Sequence, residues 1–155
     1  MAASSAKPTP RSAPARSKRP RAFLVKSEPF VYSFDQLIAE RKTSWDGVRN
    51  YEARNTMRAM AKGDTLLYYH SNEGKEIVGV ARVSKEAYQD PTTDEDWSSV
   101  EITPVKRLAR PVTLATIKAH PLLSGMALVK RSRISVVPVT PAELAAILKL
   151  SGTVV

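Results

Sequence analysis

The chain of 155 residues contains no cysteine and only two histidines, His70 and His120. The missing cysteine excludes disulfides, thiolate zinc sites and thiol nucleophiles. Neither histidine sits in an H-E-x-x-H pattern, and no Gly-rich phosphate loop of the G-x-G-x-x-G or Walker kind is present. Asp90 to Asp96 is dense in acids but lacks the ligand order and the Gly of a calcium loop. No apolar run approaches the roughly 20 residues of a membrane span. No nucleophile, base or metal constellation is legible, although a triad assembled in space leaves no linear trace. The chain is therefore read as a binder that is not an enzyme and needs no cofactor or metal.

Acids are also missing from residues 1–21, which carry Lys7, Arg11, Arg16, Lys18, Arg19 and Arg21. That segment alone holds +6 of the formal +9, and residues 22–155 hold +3. It has four prolines and no Val, Ile, Leu or aromatic residue. It cannot bury enough apolar area to offset its ordering entropy, so it is expected to be a disordered basic tail. Its prolines oppose the amphipathic helix of an organelle transit peptide. In a eukaryote Lys18-Arg19-Pro20-Arg21 fits a nuclear import patch; in a bacterium the protein is expected in the cytoplasm or nucleoid, with the tail a nonspecific arm.

Residues 22–155 have the length and patterning of one domain. Phe23-Leu24-Val25 reads as a short buried strand that Pro29 stops. Ser33-Phe34-Asp35-Gln36 has capping-box spacing and predicts a helix to about Arg41. Trp45-Asp46-Gly47 reads as a turn, and a second helix is predicted from about Tyr51 to Ala61. Thr65 to His70 and Ile77 to Val83 read as an antiparallel hairpin, with Gly79 marking a bulge or a close backbone approach. Gln89 to Asp96 is expected to be an exposed loop, Ser99 to Val105 a half-buried strand, and Arg133 to Val139 the last strand. Thr113 caps a short helix, and Thr140-Pro141-Ala142-Glu143 opens the final one with a capping box. About five strands and four short helices without regular alternation indicate an α+β fold. Its sheet should be mostly antiparallel and curl into a partly closed barrel.

Trp45-Asp46-Gly47-Val48-Arg49-Asn50-Tyr51 places two aromatics, a Gly, a cation and an amide in seven residues. Such a group reads a flat polar ring: an aromatic face stacks on a base while an amide meets its edge. The same residues also suit a core, with Trp45 and Tyr51 as anchors and Asn50 as an N-cap. In Tyr68-Tyr69-His70-Ser71, alternation sets Tyr68 and His70 on one face and Tyr69 on the other. Arg54 and Arg58 share a helix face, either as a solvated stripe or as phosphate contacts. Lys130-Arg131-Ser132-Arg133 is a second basic cluster.

Phe23-Leu24-Val25-Lys26-Ser27-Glu28-Pro29 resembles the W-L-x-K-S-E-P opening of the EVE domain family. The resemblance continues through Trp45 to Tyr51, Ala53-Arg54-Asn55, Gly63-Asp64, Tyr69-His70-Ser71-Asn72, Val78 to Ala81 and Ser132 to Val136, over roughly residues 22–150. The departures are Phe23 where Trp is usual, Phe30 where Asp is usual, and the basic tail. The resemblance implies a PUA-like fold and a reader that accepts a flipped, modified base, with modified cytosine in DNA as the ligand class. By motif position it implies that Lys26, Ser27, Trp45, Gly47, Val48, Asn50, Tyr69, His70 and Ser71 line or support the pocket. Arg49, Arg54, Arg131 and Arg133 would contact phosphates near its mouth.

The expected partner is nucleic acid, bound by a monomer. Three alternatives stand beside a DNA reader: a modified-RNA reader of the PUA or YTH kind, an enzyme acting on a base with Glu28, Asp46 or His70 as acid or base, and a structural module that binds a protein partner and uses no pocket. Deleting residues 1–21 is expected to flatten the salt dependence of binding without changing base preference. Titration at several salt concentrations checks this, and an unchanged slope would show that the tail never touches nucleic acid.

Overall fold

In the computed structural model, which describes residues 22–155, six strands form one sheet. They are β1 (Ala22–Ser27), β2 (Thr43–Trp45), β3 (Thr65–His70), β4 (Glu76–Gln89), β5 (Ser98–Thr113) and β6 (Val136–Val139). Five helices complete the fold: α1 (Phe34–Glu40), α2 (Tyr51–Arg58), α3 (Leu114–Ala119), α4 (Ala127–Lys130) and α5 (Pro141–Ser151). The basic tail and its import patch lie outside the described residues.

Across the sheet the order is β2-β5-β4-β3-β1-β6. Every neighbouring pair is antiparallel except β1 with β3. The α+β class and the mostly antiparallel sheet are as expected, and the sheet curls without closing, since β2 and β6 are its free edges. The parallel pair requires a crossover, and residues 28–64 supply it with α1, β2 and α2.

Both faces of the sheet are covered, so β1 and β3 read as continuous apolar runs. On one face Leu24, Leu67 and Tyr69 pack with Ile117 of α3 and Ile147 of α5. On the other, Phe23, Val25, Leu66 and Tyr68 pack with Phe34 and Leu37 of α1 and Met57 of α2. Tyr68 and Tyr69 are both buried, on opposite faces.

Local signals placed the helix starts well. Ser33 accepts from the Gln36 N–H, Asn50 from Ala53 and Thr140 from Glu143. The box at Ser33 is half made, because the Gln36 side chain donates to Glu40 instead of reaching back. Four expectations need correction. Thr43–Trp45 is a strand, paired with Val100 to Ile102, so Trp45 ends a strand where it was expected to open the turn to Gly47. The β4–β5 hairpin runs on to Gln89 and Ser98, with register shifts that let its polar outer half keep pairing. The last strand begins at Val136, after a turn through the basic cluster. Helix α4 was missed because Met126 at its N-cap makes no side-chain cap bond.

Gly79 sets how closely α1 sits on the sheet. A Cβ there would lie 2.4 Å from the Phe34 ring, itself buried against Tyr68 with centroids 5.3 Å apart. Replacing Gly79 by Ala is expected to cost about 1–3 kcal/mol through overpacking. Denaturant unfolding checks it, and an unchanged midpoint would show that α1 has room to move.

Candidate functional site

The parallel strands β1 and β3 end side by side, with Ser27 opposite His70. Beyond Ser27 the chain folds into a tight turn in which Val31 and Tyr32 both donate to the Glu28 carbonyl, at 2.9 and 3.0 Å. Between this turn and the end of β2 lies a hollow of about 480 Å³, lined by Lys26, Ser27, Val31, Trp45, Gly47 and Val48 among others. That volume falls within the range of small-molecule pockets. A second hollow of about 350 Å³ shares Lys26, Ser27, Val31 and Ser135 with the first and adds Ser71 and Arg133.

Tyr32 and Trp45 line the hollow and begin a chain of rings that runs back into the core. Trp45 meets Tyr32 and Tyr68 edge-on, with centroids 6.3 and 5.6 Å apart. Tyr68 in turn contacts Phe34 and, edge-on at 5.8 Å, His70. Burial pushes the Tyr68 phenol far above its usual range, so it is a neutral donor; its O–H bonds the Tyr32 carbonyl at 2.7 Å. His70 Nε2 accepts from the Phe34 N–H at 3.1 Å. Burial lowers its pKa, partly opposed by Glu76 and Asp35, which keeps that nitrogen an acceptor. The imidazole thus tethers the first turn of α1 behind the ring wall.

The loop from Asp46 to Arg49, fixed by Asp90, continues the lining beyond Trp45. This carboxylate is fully buried. Its Oδ2 accepts from the Gly47 N–H at 2.8 Å and from Arg49 Nη1 at 2.9 Å. Its Oδ1 accepts from the Thr92 N–H at 2.7 Å and the Thr92 hydroxyl at 2.6 Å. Burial alone would raise its pKa, but the bonds from Thr92, Arg49 and Gly47 outweigh it and hold the carboxyl well below the usual carboxylate range. Gly47 has φ 78°, a left-handed backbone that suits glycine and aims its N–H at Asp90. The floor is tied by Lys26, whose Nζ donates to the Ser132 carbonyl at 3.0 Å and the Arg131 carbonyl at 3.5 Å. Burial lowers the pKa of this amine.

Residues 21–150 match the EVE domain model. The chain belongs to the EVE domain family. Human thymocyte nuclear protein 1 is 36% identical, over 83% of this chain and 72% of that protein. The NMR structure of Rpa0253 from Rhodopseudomonas palustris aligns with a TM-score of 0.82 at 51% identity, over 84% of this chain and 92% of that one. The crystal structure of human THYN1 in complex with 5-methylcytosine-containing DNA aligns with a TM-score of 0.79 at 33% identity, over 86% and 99%.

In this EVE domain Lys26, Ser27, Trp45, Gly47, Val48 and Arg49 line the main hollow, and Ser71 and Arg133 line its neighbour. Three other pocket residues stand elsewhere. Tyr69 is buried on the far face of the sheet, because strand alternation turns it away from Tyr68. His70 lies behind the ring wall, and Asn50 caps α2 through Ala53, 2.9 Å away. Arginines expected to meet phosphates are largely paired with acids. Arg49 is bound to Asp90, Arg54 to Asp96 and Arg131 to Glu52. Arg54 also lies over the Tyr51 ring at 4.9 Å, and Tyr51 stacks on Trp97 at 5.0 Å. Arg133 is exposed and has no ion-pair partner among the described residues. Tyr32, Val31, Ser135 and above all Asp90 were missed. The expectation of a wholly exposed 89–96 loop therefore fails at Asp90. Its one linear signal was an Asx-turn pattern, Asp90-Pro91-Thr92.

Asp90→Asn is expected to lower stability by about 1.5–3 kcal/mol, since an amide presents N–H groups to buried donors. In the wild type, Asp90 has a lower pKa folded than unfolded. Its contribution is therefore complete above the ordinary carboxylate pKa and falls away as pH drops from about 5. Unfolding measured against pH should show a shallower acid limb in the variant; identical limbs would remove Asp90 from the clamp.

Proposed function

We propose that this EVE domain reads modified cytosine in DNA, holding one base turned out of its stack in the hollow beside Trp45. The observation that carries the reading is the hollow itself. It has an aromatic and apolar wall at Trp45 and Val48, and polar groups on its floor at Ser27 and Lys26. The family kinship supports it, since human THYN1 was crystallised with 5-methylcytosine-containing DNA.

In this reading Trp45 and Val48 contact the ring and its extra substituent, while the Ser27 hydroxyl and the Lys26 amine meet polar edges. Arg133, which has no ion-pair partner among the described residues and lines the second hollow, holds a backbone phosphate and positions the strand without reading sequence. Residues 1–21 add nonspecific attraction. Turning the base out costs a few kcal/mol, least where pairing is already weak. The domain binds as a monomer and leaves the base unaltered. His70, one of the acid–base candidates, is committed to the Phe34 amide and lies outside the lining of the hollow.

A methyl in an apolar pocket discriminates by about 1–3 kcal/mol, so preference for 5-methylcytosine over cytosine is expected near tenfold. Ser27→Ala should weaken binding of modified DNA several-fold, and Arg133→Ala should weaken modified and unmodified DNA alike. Matched duplexes with and without the modification, and the same sequences as RNA, provide the titration. Equal affinity for modified and unmodified DNA would end the reading, and tighter binding of the modified RNA would move it to the RNA class.

A further inference from the structure

Phe30 and Val31 are two adjacent large apolar side chains left 66% and 63% exposed. They stand at the tip of the turn that follows β1. Glu28 opens this turn and accepts from the Val31 N–H, and Pro29 at its second position presets the backbone. The turn is held at both ends. Ser27 belongs to β1, and the Ser71 N–H donates to its carbonyl at 3.0 Å. Tyr32 packs on Trp45, bonds Glu40 at 2.7 Å through its hydroxyl, and receives the Tyr68 hydroxyl on its carbonyl. A rigid mount thus presents two apolar groups to water, and Val31 forms part of the rim of both hollows.

We propose that Phe30 is a wedge that enters the base stack where the modified base has left it. This rests on the reading of the hollow as a base pocket and names the part that would open the duplex beside it. Phe30 directly precedes Val31, which lines both hollows, so the exposed ring stands at their rim. A duplex that delivers a base to the hollow brings the vacated place in its stack to this rim. Apolar residues, Phe among them, are what proteins insert between base steps, because the ring replaces stacking lost on unstacking. The occupant of the Phe30 face is therefore the gap in a duplex, and a single strand offers none.

The test uses the full chain, with Phe30→Ala and Phe30→Trp, a duplex carrying one 5-methylcytosine, and the same modified strand alone. Because Phe30 is exposed, both variants should keep the wild-type melting temperature. Phe30→Ala is expected to lose about tenfold in affinity for the duplex and less than twofold for the single strand, with Phe30→Trp close to wild type on both. Fluorescence of a 2-aminopurine beside the modified cytosine should rise on binding wild type and less with Phe30→Ala. Equal losses on duplex and single strand, or no loss on either, would overturn the wedge while leaving the pocket intact. Wild-type protein that does not prefer modified DNA would remove the pocket reading and the wedge with it.

Discussion

A carboxylate with no exposure to solvent holds the mouth of this domain in shape. Asp90 gathers a backbone N–H from Gly47, a guanidinium from Arg49, and both the N–H and hydroxyl of Thr92. Its own N–H donates to the Trp97 carbonyl at 2.9 Å. Three stretches of chain, 46–49, 90–92 and 97, are thereby fixed to one point. A buried charge with fewer partners would be strongly destabilising, so the set stands or falls together. The apolar wall at Val48 and the left-handed turn at Gly47 are where they are because this carboxylate is satisfied.

The other constraint is topological. Only β1 and β3 run parallel, and a parallel pair cannot be joined by a hairpin. The crossover over residues 28–64 carries the turn at Phe30, helix α1, strand β2 and the loop to α2. Most of the hollow's lining comes from this one connection, with Lys26, Ser27 and Ser135 added from outside it. The ring chain from Tyr32 through Trp45 and Tyr68 to His70 binds it back to the sheet.

Charge is used locally more than globally. Arg49, Arg54, Arg58 and Arg131 are each matched by an acid, and Arg54 and Arg58 share Asp96. What remains around the hollow is Arg133 and a half-buried Lys26. A hollow so lined offers shape and a few polar groups more than charge. Six further cations lie in residues 1–21, a segment with no acid in its sequence.

By itself the sequence determined what depends on neighbours along the chain. Ser33, Asn50 and Thr140 cap helices because a side chain and an amide three residues on are always within reach. Alternation separated Tyr68 from Tyr69, Gly79 announced a close approach, and ordered motifs marked the family. The partner at Gly79, the ring of Phe34, was not legible, nor which tyrosine face looks toward the hollow. Asp90 was read as one acid in an exposed loop because its bonds to Gly47 and Arg49 span 43 and 41 residues. Arg54 lay in the right motif yet is used in an ion pair with Asp96. Only the tertiary structure decided these, since burial and charge pairing are set by which distant segments meet, and no local pattern encodes that meeting.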